Sequence, residues 1–565
     1  MPSRSLTVLT VLSVITAHSS GVLAQPASEP PRLVLQITVD QLRGDLINRN
    51  ADHFGEGGFR YLIDNGLYFT DAHHRHANTE TIVGHTTLAT GTDPAVHGMV
   101  ANVWFDRKTG QPNYNVQDPE YALLAQSGID QSTEIDPTQR AATTDGRSPR
   151  AILTSTLSDE IAIGIGGEPK IFGVSVKDRG AISMAGHSGR AYWFSKSEGR
   201  FVTSSYYMDA YPDWVNVWNG SGQIQAFANT NWTLTDAKDT YRFGDADDAV
   251  WETDFPGFGR TFPHPYGNVD GKYYTTLLTL SPAGDELTAG FTKTLIDNEN
   301  IGSDAATDYL AVSFSSTDYV GHLFGPSSLE AEDNLRRLDR TLADLLAHVD
   351  EKVGLDKTLI VLSADHGAAE VPEYLKSLGI PAGYFSFDDI DKKDASDALF
   401  REFGGAQELI ETFSQPYVYL NDAFLKKNGL DKALVARRLA EELQKMPGVA
   451  HAVSSEDLRA GAVAKTNITD AVLANFHTER SGDVYVVFEP HWFVGDFDGL
   501  HVASHHGSPW SYDTFVPLIF SGPGIQPAKI GRRVETVDVA PTVAAYLGIK
   551  PPSGSRGQVL TEILR

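Results

Sequence analysis

The chain has 565 residues, 41% hydrophobic and 21% charged, a composition that supports a substantial core and excludes a disordered chain. It contains no cysteine, which removes disulfides, thiolate nucleophiles and sulfur-ligated metals, so any metal must be held by His, Asp and Glu. With 73 acids against 46 Lys plus Arg the formal charge is −27, a surface that repels nucleic acid and polybasic partners and admits an anionic ester only where positive charge is gathered locally.

The first stretch, "MPSRSLTVLTVLSVITAHSSGVLAQ", carries Arg4, an apolar run too short to span a bilayer comfortably, and small residues at Val22-Leu23-Ala24. It reads as a secretory signal over residues 1–24 followed by a spacer at 25–32, and it predicts an exported chain, periplasmic or secreted, cut after Ala24. No later segment approaches a membrane span. "LVLQITVD", Leu33 to Asp40, is an apolar β-rich run ending in a carboxylate, as expected of a buried parallel strand. The next stretch is helical and stops at Gly66, after "FRYLIDNG". "TETIVGHTTLATG" reads as a helix start crowded with hydroxyls, in which Thr81 has an ordinary explanation as a cap. "KIFGVSVKDR", "DYLAVSFSSTD", "TLIVLSADHG" and "VPLIFSGPG" are further strands of the same parallel kind, separated by helical patterns such as "SLEAEDNLRRLDRTLADLLAHVDEKVG". Strands alternating with helices predict an α/β fold, a doubly wound and mostly parallel central sheet flanked by helices. Two spans, about 195–290 and 375–480, break the alternation and read as insertions capping the sheet within one catalytic unit over 33–565.

Carboxyl ends of parallel strands are where open α/β sheets gather ligands. Asp40 ends the first strand, Asp318 ends "YLAVSFSSTD", and Asp365-His366 ends "LIVLSADH". His322 follows Asp318 by four residues, and "SHHGSPWSYD" places His505 and His506 in a loop. Each alone is a turn residue, a cap or a hydrogen-bonded structural pair. Together they offer oxygen and imidazole nitrogen in the mix that suits zinc without sulfur.

The ordered set "ITVDQLRGD", "TIVGHTTLATG", "HGMVANVW", "VSVKDRGAI", "SSTDYVGH", "SADHG", "SHHGSPW" and "VDVAPTVAAYLGI" resembles the alkaline phosphatase superfamily, and within it the bacterial single-chain phosphomonoesterases with a threonine nucleophile. The resemblance runs from Leu33 to the C-terminus and is weakest across the two insertions. It implies two Zn2+ ions: one on Asp40, Asp365 and His366 with the oxygen of Thr81, the other on Asp318, His322 and His506. His505 competes with His506, which is preferred because it immediately precedes Gly507. It also implies attack on phosphorus by a metal-activated Thr81, a phosphothreonine, and its hydrolysis by water. Lys177 and Arg179 of "SVKDRG", read as alternate residues on a strand end that point the same way, would bind the phosphoryl oxygens with Asn102 as amide donor. The implied partners are small-molecule phosphate esters.

His85, Thr86 and Thr87 read as packing or supporting residues, and "DAHHRH", residues 71–76, as solvated loop histidines without function. "DADDAVWETD" lacks the glycine and terminal glutamate of a calcium loop, so an additional structural Ca2+ has no clear motif behind it. Two alternatives carry forward: a phosphodiesterase or nucleotide pyrophosphatase of the same superfamily, and, more remotely, a non-catalytic zinc-dependent phosphate-binding protein. A sulfatase is disfavoured because Thr81 stands where cysteine or serine is needed, and a glycolytic mutase because the chain is exported.

Overall fold

A computed structural model describes residues 29–386, 394–404, 406–497 and 500–564; the signal expected at 1–24 and the first half of the spacer lie outside them. Its main sheet is built on β1 (Leu33–Val39), seven residues buried along their whole length. Further strands are β2 (Leu67–His73), β3 (Ile171–Ser175), β4 (Arg190–Ser195), β5 (Arg200–Val202), β6 (Asp308–Phe314), β7 (Thr358–Ser363), β8 (Phe515–Ser521), β9 (Ala528–Ile530) and β10 (Val534–Glu535). Their spatial order is β9-β2-β8-β7-β1-β6-β3-β4-β5, with β10 also on β2. β1 runs parallel to β6 and β7, and β3 runs parallel to β6 and β4.

The two-residue period of a strand sends β1 into two cores. Leu33, Leu35, Ile37 and Val39 join the cluster that holds Phe291 and Leu295 of helix Pro282–Glu299 and Leu338 and Leu342 of helix Leu329–Lys352. Val34 faces the other side, with Leu359 and Val361 of β7 and Val543 of helix Val539–Leu547. Burial on both faces explains the unbroken apolar runs.

One strand corrects the expectation. "VPLIFSGPG" lies in β8, which is antiparallel to both β7 and β2. Its direction follows from its connection: the chain comes from the His505-His506 loop at the carboxyl end of the parallel strands, makes only the short helix Ser511–Thr514, and re-enters the sheet from that end. A strand buried on both faces reads as the same apolar run in either direction.

The two spans outside the alternating pattern differ from each other. Within 195–290, Arg200–Val202 is β5 of the main sheet, and Trp218, Trp232, Phe258 and Tyr266 belong to the same cluster as Leu35 and Ile37. The later span builds a separate antiparallel sheet in the order Ile410–Ser414, Tyr417–Leu420, Val484–Phe488, Val449–Ser454. Helix Lys432–Leu443 packs on it through Val435 and Leu439, and strand Val484–Phe488 carries this unit past residue 480.

Phe291 ties the aromatic span to the sheet: its ring stacks on Phe201 at 4.2 Å and meets Trp218 edge-on at 5.1 Å. Phe291→Ala is expected to destabilise the fold by about 3–5 kcal/mol, read as a lowered denaturation midpoint; an unchanged midpoint would show that the two regions are held together elsewhere.

Candidate functional site

The expected acids and histidines meet at the carboxyl ends of β1, β6 and β7. Asp40 directly follows β1, and Asp365 and His366 follow β7. Asp318 does not end its strand; it sits in the first turn of helix Ser316–Phe324 after β6, and His322, one turn on, shares its face. His506 comes in from the loop before β8. Three overlapping groups have their potential ligand atoms within 4.8 Å of one another: Asp40, Asp365 and His366; Asp318, His366 and His506; and His322, His505 and His506. Nε2 of His366 lies 3.4 Å from Asp40 Oδ1 and 3.5 Å from Asp365 Oδ2. Asp318 Oδ1 lies 3.3 Å from His322 Nε2 and 3.5 Å from His506 Nε2. His506 also stacks on His366 at 3.6 Å, whereas His505 Nε2 faces the Gln415 amide at 3.4 Å.

The donor chemistry fits divalent cations. Asp40 and Asp365 are fully buried and Asp318 nearly so. Among the described residues, Lys177 is the ammonium that Asp40 and Asp318 share: its Nζ lies 2.7 Å from Asp40 Oδ2 and also touches Asp318 Oδ2. Burial, then repulsion from Asp318 and Asp365, raises the Asp40 pKa well above the carboxylate range despite Lys177. At Asp318 burial is outweighed by Lys177 and His322, and its pKa is held well below that range. Burial likewise lowers His366 and His506, keeping them as the neutral imidazoles that bind metal. The outer nitrogens are pinned by backbone oxygens: His322 Nδ1 on Ser504 O at 2.9 Å, His366 Nδ1 on Gly367 O at 3.0 Å and His506 Nδ1 on Thr79 O at 2.8 Å. Such bonds fix which ring nitrogen faces the centre.

Thr81 is the first residue of helix Thr81–Thr90 and is not its cap, since Glu80 holds that position. Its Oγ1 is buried with no hydrogen-bond partner among the described residues. The unpaired hydroxyl sits at the positive end of a helix, where an anion is favoured. Gly84 lets that helix lie against the end of β7: a Cβ there would stand 1.9 Å from Asp365 O, a backbone atom that cannot swing aside. His85, one turn on, clamps the assembly through Nδ1, 2.9 Å from Thr81 O and 3.0 Å from Asp365 Oδ2, and through Nε2, 2.8 Å from Ser313 Oγ.

The phosphoryl-binding candidates arrive differently from the expectation. β3 ends at Ser175, so Lys177 and Arg179 flank the start of helix Asp178–Ala185 rather than alternating on a strand. Lys177 reaches the centre through Asp40 and Asp318, while Arg179 lines a cavity of about 720 Å³ together with Thr81, Asn102, Asp318, His322 and His506. Asn102 Oδ1 accepts from Ile82 N at 3.1 Å, and its own N–H donates to the Glu80 carboxylate. The carbonyl side of the Asn102 side-chain amide is thus committed to the helix that Thr81 starts, which leaves its Nδ2 as the remaining donor. Ile135, Phe385, Phe413 and Val494 form an apolar outer wall.

Gln41, which lies within "ITVDQLRGD" but has no role assigned from the sequence, sends its N–H to Asp365 Oδ1 at 3.1 Å and its Nε2 to Asp318 Oδ1 at 2.9 Å. Its φ of 67° is a left-handed conformation that a non-glycine residue adopts only under tertiary constraint. "DAHHRH" is a further correction: His73, His74 and His76 are buried, not solvated, because β2 carries the segment beneath the site. His74 is held by Ala364 O at 3.0 Å and Thr536 Oγ1 at 2.9 Å. "DADDAVWETD" disperses its acids, with Asp247 on Lys238 at 2.7 Å and Asp248 on Arg260 at 3.0 Å. Among the described residues, no helix is long and apolar enough to cross a membrane.

Residues 34–509 match the type I phosphodiesterase / nucleotide pyrophosphatase family. A protein of Myroides odoratus named calcium-transporting ATPase is 34% identical, over 98% of this chain and 99% of its own. Alkaline phosphatase PhoV of Synechococcus elongatus is 32% identical, over 98% and 97% respectively. The crystal structure of wild type alkaline phosphatase PafA superposes with a TM-score of 0.86 at 32% identity, covering 96% of this chain and all of that one.

Gly84→Ala must push the Thr81 helix off Asp365. A misplacement of about 1 Å is expected to lower turnover of an aryl phosphate on the order of 10²-fold; full activity in a folded variant would show that this close approach is dispensable.

Proposed function

We propose, from the premise that this chain belongs to the type I phosphodiesterase / nucleotide pyrophosphatase family, that it is an exported phosphatase working with two zinc ions and a phosphothreonine on Thr81. It is a phosphoric monoester hydrolase of the alkaline phosphatase superfamily. The observation that carries the finer reading is the buried, unpartnered Thr81 hydroxyl at a helix N-terminus, beside overlapping groups of carboxylates and imidazoles.

Asp40, Asp365 and His366 would hold one zinc, and Asp318, His322 and His506 the other. Zinc there would lower the pKa of an oxygen acid and offset negative charge on the phosphoryl group. Thr81 Oγ attacks phosphorus from the helix N-terminus, its proton passes to solvent, and the bond from phosphorus to the ester oxygen breaks. Arg179 and the Asn102 amide hold the non-bridging oxygens, the guanidinium able to fork onto two of them. Water then attacks the phosphothreonine, phosphate departs, and Thr81 regains its hydroxyl. The apolar outer wall receives the leaving group.

A monoester carries one more negative charge than a diester. Lys177 and Arg179 therefore favour monoesters, because positive charge aimed at the non-bridging oxygens is worth more there. The family description itself favours a second reading, a phosphodiesterase or nucleotide pyrophosphatase, which would place less weight on these two cations.

Thr81→Ala is expected to lower release of a phenol from its phosphate ester by at least about 10³-fold. Rapid quenching should trap protein-bound phosphate on the native chain and none on the variant; undiminished turnover would remove Thr81 from the chemistry. Replacing Lys177 and Arg179 together with Ala should reduce monoester hydrolysis far more than diester hydrolysis, and equal losses would favour the diesterase reading.

A further inference from the structure

Arg179 is held by a residue that no motif marks. Its Nη1 lies 2.8 Å from Asp136 Oδ2, both side chains being buried, and the same nitrogen approaches Tyr114 OH at 3.4 Å. Arg179 Nε has no hydrogen-bond partner among the described residues, so the tether occupies one corner of the guanidinium and leaves another available. Asp136 is itself fixed. As the cap of helix Pro137–Arg140, its Oδ1 accepts from Thr138 N at 2.9 Å and Thr138 Oγ1 at 2.6 Å. Its own N–H donates to Glu134 Oε1 at 2.9 Å, and Glu134 is in turn paired with Lys196. Asp136 also lines the same cavity as Thr81 and Asn102.

We propose that Asp136 is a positioning residue that aims the Arg179 guanidinium at the phosphoryl group, so that preference for monoesters depends on the loop carrying Asp136 as much as on Arg179. This rests on the reading of Arg179 as a phosphoryl ligand. The physical ground is entropy and direction. An arginine stem has many rotamers, and freezing it during substrate binding costs affinity that an existing ion pair has already met. Burial opposes ionisation of Asp136, but Arg179, Lys196 and Lys177 outweigh it and keep the carboxylate charged. The pair is therefore present before substrate arrives.

Asp136→Asn separates the two jobs of this side chain. Asparagine is a good helix cap, so its oxygen can keep the Thr138 bond while its amide, a donor, is turned toward Arg179. The expected result, with the metal-loaded full chain, is a loss of about 10- to 100-fold in kcat/KM for an aryl phosphate monoester. A matching weakening of inhibition by inorganic phosphate is expected, while diester hydrolysis changes little; the thermal midpoint should fall, because Arg179 is left buried without its carboxylate, so the monoester to diester ratio of the folded variant is the deciding readout. Asp136→Ser, which also keeps a capping oxygen, should behave alike. Added to Arg179→Ala, either change should cost nothing more. If Arg179→Ala lowers the monoester to diester ratio but Asp136→Asn and Asp136→Ser leave it unaltered, or lower both activities equally, the positioning role is overturned. If Arg179→Ala itself leaves monoester hydrolysis intact, it is the underlying reading of the site that fails.

Discussion

Three carboxylates brought to one buried point by three parallel strands form the constraint on which the rest of this structure depends. Asp40, Asp318 and Asp365 repel one another, and burial deepens the penalty, yet a single ammonium, Lys177, is shared between two of them. A buried unpaired charge is expensive, so such a cluster persists only where cations, hydrogen bonds and rigid backbone compensate it. Gln41 spans from Asp365 to Asp318, His85 from Asp365 to the Thr81 turn, and the imidazoles of His322, His366 and His506 are each held by a main-chain carbonyl. The scaffold thereby holds electrostatic strain in a fixed geometry instead of relaxing it. That is the condition under which a site binds a highly charged transition state strongly.

The same constraint organises the surroundings. The centre is dense in negative groups, and the positive charge beside it comes from a separate element, the start of helix Asp178–Ala185, with Lys177 at its cap on the inner side and Arg179 at the cavity. The helix that Thr81 starts packs against the end of β7 only because Gly84 has no side chain to keep it away. Asn102 is bonded twice to the start of that helix, accepting from Ile82 N while its own backbone N–H donates to the Glu80 carboxylate.

Much of this was legible in the sequence, and the parts that were not share a cause. An acid at the end of one apolar run is an ordinary turn or cap residue, but its recurrence at several strand ends together with histidines is legible, and the i, i+4 pair Asp318 and His322 falls on one helical face wherever the helix begins. β8 escaped because a doubly buried strand carries no record of its direction; only the loop feeding it does. The 71–76 histidines looked solvated because their neighbours are polar, whereas β2 and the residues around Thr536 cover them. Gln41 and Asp136 act through partners hundreds and tens of residues away, Asp365 and Arg179 respectively, and neither residue type is unusual in a turn or a cap. Pairings of that kind are properties of tertiary structure, and local pattern does not encode them.

The antiparallel return of β8 bears on biogenesis. The groups gathered at the centre run from Asp40, just after the first strand, to His506, just before one of the last, so nearly the whole chain must be in place before they can coincide. Capture of a transition metal by the full ligand set would therefore be one of the final events of maturation, coupled to completion of the sheet. A polypeptide whose last strands have not yet docked would remain an inert precursor, however much of its N-terminal part had folded.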